Sequence, residues 1–375
     1  MTMASRTQAD PGGPRDFASR RPRLCFVGPL TGAKPGYVVT QGVRLSGHFR
    51  DAGYPVIAVS KSPNRFVRLL DIAWTVLRRA GRIDILVVHV YGGASFIVED
   101  VASLLGRRAG HRIVMLLHGG AMPEFLLRHP RWCRRVLNRA DALVAPSPYL
   151  ARVIESRDFS CRIIPNVIDL KLYRYRQRRA LGPRLLWMRS FHPVYNPLMA
   201  IRLLERLRVS HPEATLVMGG QDKGMQAEAR SLAARLGLSD RVRFPGFLDM
   251  EAKVREGEAA DIFINTSHVD NMPVAVIEAG ALGLPVVSTM VGGIADLLTD
   301  GGTALLTPDD DVEAMAGAVR RLLGDPDLSA RLSANGRQLA ERSDWERVRP
   351  RWEELFAELL SASERGQHEA IHVRH

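Results

Sequence analysis

The chain has 375 residues, enough for two domains of ordinary size, and its 46% hydrophobic and 25% charged residues are typical of a globular protein. No apolar run approaches the roughly 20 residues that a membrane-spanning helix needs, so no such helix is predicted. The three cysteines show no CxxC spacing, which favours a reducing, cytoplasmic setting and argues against a zinc site. Residues 1–22 lack the apolar centre of a signal peptide and are expected to form a disordered basic tail.

The charge is distributed unevenly along the chain. Residues 1–180 carry 30 basic and 12 acidic residues, whereas residues 181–375 carry 22 and 28, so the two parts have net charges of +18 and −6. A basic first half favours an anionic substrate or surface. Nucleic acid is not favoured as the partner, because helix-turn-helix, zinc-finger and aromatic–basic RNA-binding motifs are absent from the sequence.

Short apolar strands alternate with amphipathic helices along the whole chain. The strands predicted in the first half are Leu24–Gly28, Pro55–Val59, Ile83–His89, Arg112–Leu117, Ala142–Ala145 and Arg162–Ile164, and the helices include Gly42–Ala52 and Phe66–Arg79. The strands predicted in the second half are Arg184–Met188, Ala214–Met218, Val242–Phe244, Ile262–Asn265, Val286–Ser288 and Ala304–Leu306. The helices of this half include Leu198–Arg208, Met225–Leu236, Met272–Ala281 and Val312–Leu323. This alternation predicts an α/β protein with two parallel, doubly wound sheets.

The two sheets imply two Rossmann-like domains that face each other across a cleft. The polar, basic stretch Arg174–Pro183 interrupts the apolar pattern and is predicted to be the hinge, so the domains should span residues 23–180 and 181–344. Residues 345–375 are expected to form a final helix and tail, in which Trp352 and Phe356 need a surface to pack against. Because ligands of such sheets bind beyond the carboxyl ends of the strands, the site is expected in the cleft.

One stretch, residues 267–287, carries the strongest functional signal. It holds two carboxylates, Asp270 and Glu278, and its Asn271 and Pro273 are typical of the cap and the first turn of a helix. A helix N-terminus presents free N–H groups and a positive dipole to an anion. Glu278 lies further along this helix, where its carboxylate can accept paired hydrogen bonds from a vicinal diol such as a ribose. The stretch therefore predicts an element that binds a nucleotide.

Several short blocks follow one another along the chain: Ile164–Asp169, Phe244–Phe247, Ala260–Ile264, Asp270–Glu278, Pro285–Val287 and Val291–Ile294. In this order they resemble the motifs of the retaining GT-B glycosyltransferases of the "group 1" family, also numbered family 4. The resemblance covers roughly residues 23–360 and is strong in the second half and weak in the first. It implies a GT-B fold, in which two Rossmann-like domains enclose a cleft and a C-terminal helix crosses between them. It also implies transfer of a sugar from a nucleotide-sugar donor.

The resemblance assigns roles to the two carboxylates. Asp270 stands where the family has a glutamate that contacts hydroxyl groups of the donor sugar, and Glu278 stands where a second glutamate binds the ribose. Aspartate is one methylene shorter, which puts the reach of Asp270 to the sugar in question, and its alternative role is to cap the helix. Asn271, Met272 and Pro273 belong to the same donor-binding element.

Gly292 and Gly293 follow the next predicted strand and precede a short helix, Ile294–Leu298. Glycines let a backbone approach a phosphate closely and leave its N–H groups available. Turns also require glycine, so the alternative is a purely structural role. Because the acidic block lies just upstream, we interpret the pair as part of the donor site.

The family carries an arginine and a lysine that bind the diphosphate. Cations at this place stabilise the negative charge that develops on the leaving group. We interpret Arg189 as that arginine, although it lies one position early in the aligned block, and Tyr195 occupies the position of the lysine. A phenol can donate a hydrogen bond to a phosphate but brings no charge. Lys223, in a later loop, is the candidate replacement, and its alternative is a solvated surface lysine.

The first half contributes two further candidates. His118 follows a predicted strand and precedes two glycines, where the family has a histidine near the donor sugar and the scissile bond; its alternative role is structural. Gly32 and Gly36 resemble the family's glycine-rich loop near the acceptor and the phosphate. This loop lacks GxGxxG spacing and no acidic residue follows the second strand, so a dinucleotide cofactor is not expected.

Asp309, Asp310 and Asp311 look like a metal-binding DxD motif. They open the predicted helix Val312–Leu323, however, and carboxylates are favourable at a helix N-terminus. We therefore interpret them as a cap, and we expect neither a metal nor another cofactor.

Two basic amphipathic stretches allow two interpretations. In the first, one helical face is formed by Phe66, Leu69, Leu70, Ala73 and Leu77, with arginines on either side. In the second, Phe125–Arg139, five arginines surround Trp132. Either both stretches pack on the first sheet with solvated basic faces, or they dock on an anionic membrane, where each basic residue contributes on the order of 1 kcal/mol.

These residues together predict a cytoplasmic glycosyltransferase, located on the inner face of the cytoplasmic membrane if the basic stretches dock there. The resemblance implies retention at the anomeric carbon through front-face departure and attack. The C-terminal domain is expected to bind the nucleotide-sugar, and the basic N-terminal domain a glycan or lipid-linked acceptor. The alternative is a GT-B-like binding or scaffold protein that has lost catalysis, because Asp270 and Tyr195 depart from the family pattern.

Overall fold

The computed structural model describes residues 21–30, 39–60, 62 and 64–372. The predicted tail as far as residue 20 and the loop with Gly32 and Gly36 lie outside the described residues. The strands are β1 (Leu24–Val27), β2 (Val56–Val59), β3 (Ile85–Val90), β4 (Arg112–Leu117), β5 (Ala142–Ala145), β6 (Arg162–Ile163), β7 (Arg184–Met188), β8 (Thr215–Gly219), β9 (Val242–Gly246), β10 (Ile262–Asn265), β11 (Val286–Thr289) and β12 (Leu305–Thr307).

Helices connect these strands. They are α1 (Gln41–Asp51), α2 (Arg65–Arg78), α3 (Phe96–Arg108), α4 (Met122–Arg128), α5 (Pro130–Leu137), α6 (Pro148–Glu155), α7 (Pro197–Arg208), α8 (Gln226–Arg235), α9 (Met250–Ala259), α10 (Val274–Ala281), α11 (Ile294–Leu297), α12 (Val312–Gly324), α13 (Pro326–Glu341) and α14 (Trp345–His372). Within the described part of the chain, none of them is long and apolar enough to cross a bilayer.

Both sheets are parallel throughout. The first has the strand order β2-β1-β3-β4-β5-β6 and the second the order β12-β11-β10-β7-β8-β9. The order reverses between β1 and β3 in the first sheet, and between β7 and β10 in the second, and ligands of open α/β sheets bind at such points. Each predicted strand is present with ends that shift by at most two residues, so the predicted α/β class with two doubly wound sheets is confirmed.

Helices cover both faces of the first sheet, which explains why its strands are apolar on both sides. β3, with the sequence ILVVHV, is buried along its whole length. The helices α2, α3, α5 and α6 pack on one face, and α1 and α14 pack on the other. The second sheet likewise lies between two apolar clusters.

The last helix, α14, leaves the C-terminal domain and packs on the N-terminal domain. Trp345, Trp352 and Phe356 are buried there beside Phe49 of α1. The ring centroids of Phe49 and Trp345 lie 4.9 Å apart in an edge-to-face contact. Burial of a large apolar side chain contributes roughly 1.5–3 kcal/mol, so these rings anchor the helix. The predicted crossover helix is therefore confirmed.

The chain passes between the domains at two adjacent places. Val167 belongs to the apolar core of the first domain, whereas Ile168 belongs to that of the second. The N–H of Ile168 donates to the carbonyl oxygen of Ser343 at 2.9 Å, and the N–H of Trp345 donates to that of Ile168 at 3.3 Å. The outgoing and returning segments therefore lie side by side.

The stretch predicted as the hinge, Arg174–Pro183, lies on the C-terminal domain instead. Its polarity has a structural reason, because Arg178 is buried and its guanidinium donates to the carbonyl oxygens of Gly257, Ala260 and Leu282. These carbonyls belong to the C-terminal ends of α9 and α10, which lack helical partners. The sequence shows only that Arg178 is charged, so a stretch that contains it resembles a polar linker. In the structure its cation is buried and binds the ends of two helices.

The two basic stretches differ in their packing. In α2, the buried apolar residues are Ile72 and Val76, whereas an apolar strip with Phe66, Leu70, Trp74 and Leu77 is exposed. The second stretch forms α4 and α5 and packs against α3. There Asp100 accepts hydrogen bonds from Trp132, Arg135 and Arg139. Both stretches therefore pack against the first sheet, and α2 in addition keeps an apolar face toward solvent. Docking on a membrane stays a prediction.

Candidate functional site

The carboxyl ends of β4, β7 and β10 bring three predicted site residues to the boundary between the domains. His118 follows β4, and Arg189 follows β7. Asp270 lies in the loop between β10 and α10, residues 266–273, which we call the acidic loop. Because all strands of a sheet are parallel, their carboxyl ends share one edge, and both edges face the cleft.

The acidic loop contacts the N-terminal domain directly. The side-chain amide of Asn271 donates to the carbonyl oxygen of Gly119. A Cβ atom on Gly120 would lie 2.9 Å from a methyl carbon of Val269, so glycine allows the two loops to approach. α10 begins only after Pro273, and no side chain caps it. The prediction that Asn271 caps this helix is therefore wrong: its Nδ2 donates to the other domain, and its Oδ1 is buried without a hydrogen-bond partner among the described residues.

Arg189 and Asp270 form an ion pair that is mostly buried, with 11% and 12% of the two side chains exposed. The guanidinium carbon of Arg189 lies 4.0 Å from the centre of the Tyr195 ring, a cation–π contact. Burial raises the pKa of Asp270 above its ordinary value, although Arg189 opposes this effect. In the described part of the chain, Nε of Arg189 is buried without a hydrogen-bond partner. An anionic oxygen would satisfy that N–H.

Glu278 is 1% exposed and is held by three side chains that the sequence analysis did not identify. Its Oε1 accepts from Arg44 Nη2 and Tyr173 Oη, both at 2.9 Å, and its Oε2 accepts from Lys253 Nζ at 2.8 Å. Burial alone would raise the pKa of Glu278, but Lys253 and Arg44 more than offset it, so the pKa lies below the ordinary value. The carboxylate is therefore charged at neutral pH.

This arrangement limits what Glu278 can bind. A carboxylate offers about four acceptor positions, and three are occupied, so a ribose diol would have to share or displace a partner. Arg44 comes from the N-terminal domain, so the ion pair also links the domains. Arg44 and Glu278 are 234 residues apart in the chain, which explains why no sequence pattern reveals their contact.

His118 forms a buried pair with His89, another residue that the sequence analysis missed. Nε2 of His118 lies 2.8 Å from Nδ1 of His89, and the planes of the two rings are within 11° of parallel. Tyr91 stacks on His118, with ring centroids 4.8 Å apart. Burial lowers the pKa of His118 well below its ordinary value and that of His89 to about 3. The sequence does contain one sign of this pair, because His89 is a polar residue inside the otherwise apolar strand β3.

Gly292 and Gly293 pack against the backbone of the acidic loop. Added Cβ atoms would lie 2.3 Å from the carbonyl oxygen of Asp270 and 1.9 Å from that of Asn271, so side chains do not fit. The N–H of Gly293 donates to the carbonyl oxygen of Asp270 at 2.8 Å. These glycines therefore support the acidic loop, and the Gly293 N–H is already occupied.

Lys223 and Met272 lie at the margins of this cluster. Lys223 is exposed in the turn after β8, and its backbone N–H donates to the carbonyl oxygen of Phe191 at 3.1 Å. The carbonyl oxygen of Met272 accepts from the Asn166 side chain at 3.3 Å. Asn166 belongs to one of the blocks that carry the family resemblance. The donor-binding roles of both residues remain predictions.

The three aspartates before α12 have structural partners. Asp311 accepts from the N–H of Ala314 at 2.8 Å and caps the helix, as predicted. Asp310 accepts from the side chain of Asn196 at 2.8 Å, and Asp309 pairs with a histidine. Across the residues that the structure describes, no group of three or more His, Cys, Asp or Glu side chains is arranged to hold a metal ion.

Comparison with known proteins adds independent information. The chain matches the family model "Glycosyl transferases group 1" over residues 178–339 and the model "Glycosyltransferase Family 4" over residues 26–172. It is 27% identical over 303 residues to the D-inositol 3-phosphate glycosyltransferase of Acidothermus cellulolyticus, a match that covers 72% of this chain and 66% of that protein. It is 30% identical over 279 residues to the GDP-mannose-dependent alpha-(1-6)-phosphatidylinositol monomannoside mannosyltransferase of Mycolicibacterium smegmatis, covering 68% of this chain and 72% of that protein.

Among solved structures, the chain resembles HepE of Anabaena in complex with UDP-glucose. The TM-score is 0.71 at 19% identity, and the match covers 91% of this chain and 100% of HepE, so the two share a fold. The chain spans 66% and 58% of the length of two D-inositol 3-phosphate glycosyltransferases that it matches. The GT-B fold, with two parallel sheets and a crossover helix, is thereby confirmed. Two family models match consecutive parts of the chain, and one relative is 30% identical to it. The chain therefore belongs to the glycosyl transferases group 1 family.

Proposed function

We propose that the chain transfers a sugar from a nucleotide-sugar donor to a glycan or lipid-linked acceptor. The observation that carries this proposal is the environment of Arg189, which is buried at the carboxyl edge of the second sheet with an unpartnered Nε beside Asp270. An arginine in this setting matches the oxygens of a diphosphate. HepE, which shares the fold, was solved with UDP-glucose, and the M. smegmatis relative is named for GDP-mannose.

Each side chain has a role in the proposed reaction. As the bond between the anomeric carbon and the phosphate oxygen breaks, Arg189 stabilises the charge on the leaving diphosphate. Asp270 accepts hydrogen bonds from the donor sugar, and Glu278 from the ribose. The acidic loop, including Asn271, Met272 and Pro273, forms the wall of the donor site, and His118 approaches the sugar from the other domain.

The proposed stereochemistry is retention. The acceptor hydroxyl attacks the face from which the diphosphate departs, and a phosphate oxygen of the leaving group takes the acceptor's proton. No step of this scheme needs a metal ion, so we expect EDTA to leave the rate unchanged. NMR of the product measures the configuration at the anomeric carbon, and an inverted product would contradict this part of the proposal.

The acceptor is assigned to the basic N-terminal domain, and α2 suggests how it is approached. Phe66 and Leu70 are each 71% exposed, and Trp74 and Leu77 lie on the same exposed strip. The guanidinium of Arg78 lies over the Trp74 ring at 4.3 Å, so basic groups border the apolar strip. An amphipathic helix of this kind fits the surface of an anionic membrane. These features support the proposal that the protein docks on the cytoplasmic face of a membrane, where a lipid-linked acceptor would be found.

One observation favours a second candidate, a nucleotide-sugar-binding protein without catalysis. Tyr195 lies under Arg189 where the family has a lysine, so the diphosphate would meet one cation there instead of two. The exposed Lys223 is the candidate for the missing charge.

The deciding experiment is a thermal-shift panel of nucleotides and nucleotide-sugars, followed by an assay of donor hydrolysis and transfer with the donor that binds. Binding with turnover supports the glycosyltransferase, binding without turnover supports the second candidate, and no binding contradicts both. Glu278→Ala should abolish the thermal shift. Glu313→Ala is the matched control, because Glu313 is an exposed glutamate near the start of α12.

A further inference from the structure

The His89–His118 pair determines which hydrogen-bonding form of His118 is available to a substrate. His89 is buried within β3, and Nε2 of His118 is occupied by Nδ1 of His89. In the described residues, the other nitrogen of His89, Nε2, is buried without a hydrogen-bond partner. Only Nδ1 of His118 is therefore left for a ligand.

Two proton arrangements are compatible with a 2.8 Å contact between two neutral rings. In the first, His89 carries its proton on Nδ1 and donates to His118, which then carries its own proton on Nδ1. In the second, His118 donates from Nε2, and His89 carries its proton on Nε2. The two arrangements give the substrate opposite groups, since Nδ1 of His118 is a donor in the first and an acceptor in the second.

The surroundings of His89 Nε2 discriminate between them. A Cβ atom on Gly42 would lie 2.9 Å from this nitrogen, so a Cα–H group of Gly42 lies beside it. Gly42 is the second residue of α1, after the Thr40 cap, and the N-terminus of a helix carries partial positive charge. A bare nitrogen lone pair is stabilised by that field and by a weak Cα–H contact, whereas an N–H would be repelled by both. A buried N–H without an acceptor is also the rarer defect in proteins.

We propose that His89 is a positioning residue that holds His118 in the Nδ1–H form, so that His118 acts as a neutral hydrogen-bond donor toward a substrate oxygen. The space for His89 is provided by glycines, because Cβ atoms on Gly28 and Gly42 would each lie 2.9 Å from its side chain. The low pKa of both rings, which burial causes, keeps them uncharged at neutral pH. His118 is thus suited to orient a sugar hydroxyl or to stabilise a phosphate oxygen, and not to carry a positive charge.

The primary test needs no substrate. Long-range ¹H–¹⁵N correlation spectra of the full chain, labelled with ¹⁵N at histidine, report which ring nitrogens carry protons, and His118→Gln assigns the His118 signals. The expected result is a protonated Nδ1 and a bare Nε2 on both His118 and His89. A protonated Nε2 on His118 would overturn the proposal, whether or not the chain proves to be a glycosyltransferase.

Two variants of His89 test its role as the donor. In His89→Asn, the side-chain amide can replace the Nδ1–H as donor, so the His118 spectrum should be retained. In His89→Leu, which is of similar size, the donor is lost, so His118 should become a mixture of the Nδ1–H and Nε2–H forms. The second arm rests on the proposed function: kcat/KM for transfer should fall about tenfold or more in His89→Leu and recover in His89→Asn. A loss of this size is known for hydrogen-bond partners that orient metal-bound histidines. Equal activity in both variants would contradict the positioning role, provided that both remain folded by circular dichroism.

Discussion

At the scale of single residues, the cleft depends on buried charges that compensate each other. Arg189, which follows β7, and Asp270, in the acidic loop, neutralise each other's charge. Removal of one partner of a buried pair leaves a charge without compensation, whereas replacement of both by apolar side chains is often nearly neutral. Stability and function can therefore be separated at this pair.

We expect Arg189→Leu to lower the free energy of unfolding by about 3 kcal/mol or more, because Asp270 is left buried without a partner. The double variant Arg189→Leu/Asp270→Leu should recover most of this loss while transfer stays abolished. Urea unfolding measures the stability of the three proteins at one pH. A double variant that is no more stable than Arg189→Leu would contradict the coupling.

Glu278 predicts a pH dependence. Its pKa in the folded chain lies below the ordinary value of 4.5, so the ionised form contributes stability above that pH and the contribution is lost as pH falls through the folded pKa. The difference in unfolding free energy between the wild type and Glu278→Gln should therefore be largest above pH 5 and shrink at lower pH. Denaturant titrations across this range test it, and a difference that grows toward acid pH would have the wrong sign.

At the scale of secondary-structure elements, α2 and α5 show that similar sequences can have different partners. Both are basic and amphipathic, but α5 lies against α3, where Asp100 accepts from Arg135 of α5 and from Arg139, two residues after the helix. α2 has two apolar faces, one buried through Ile72 and Val76 and one exposed. Helical periodicity identified an apolar face correctly but could not determine which face the sheet would cover.

The exposed face of α2 should bind membranes. In the triple variant Phe66→Ser/Leu70→Ser/Trp74→Ser, binding to anionic vesicles should weaken about tenfold or more, because large apolar side chains no longer enter the interface. Stability should change by less than about 1 kcal/mol, since the side chains are exposed. Vesicle pelleting at two salt concentrations measures the binding.

Val209→Ser serves as the control for this experiment, because Val209 is 87% exposed on the other domain. It should bind vesicles like the wild type. Equal binding by the triple variant and the wild type, or indifference to the lipid charge, would rule out α2 as the docking element.

At the scale of the whole molecule, the domains are joined by buried and by exposed contacts. Arg44 of α1 pairs with Glu278 of α10, and both side chains are mostly buried. Arg152 pairs with Asp296 across the same boundary, but 60% of the arginine side chain is exposed. Exposed ion pairs contribute little to stability, so the buried pair should dominate domain closure.

Arg44→Met should therefore shift the chain toward open arrangements, by roughly tenfold in the equilibrium, since a hydrogen bond to a charged group contributes about 1.5–3 kcal/mol. Arg152→Met is the matched control and should change this equilibrium little. Fluorescence energy transfer between labels on the two domains reports the distance between them. Identical distributions for Arg44→Met and the wild type would show that this pair does not hold the cleft closed.

Most of the fold was predictable, because each element has a local cause. Apolar runs of four to six residues between amphipathic helices predict parallel strands whatever the rest of the chain does, and the predicted strands appear in both sheets. The positions of His118, Arg189 and Asp270 were predictable for the same reason, since each directly or closely follows a strand. The predicted cap by Asn271 was wrong because a long-range contact with Gly119 competes with the local one.

The sequence by itself determined the α/β class, the two sheets and the residues at their carboxyl ends, because periodicity and strand ends are local properties of the chain. Only the tertiary structure decided which side chains meet there. Arg44 and Lys253 on Glu278, and His89 on His118, lie in separate elements that folding brings together. The tertiary structure also decided where the chain passes from one domain to the other. In the sequence, the charge of Arg178 indicates a linker, whereas in the structure Arg178 binds the ends of two helices of the C-terminal domain. The pairing of side chains from separate elements is a property of the folded chain, and no local pattern encodes it.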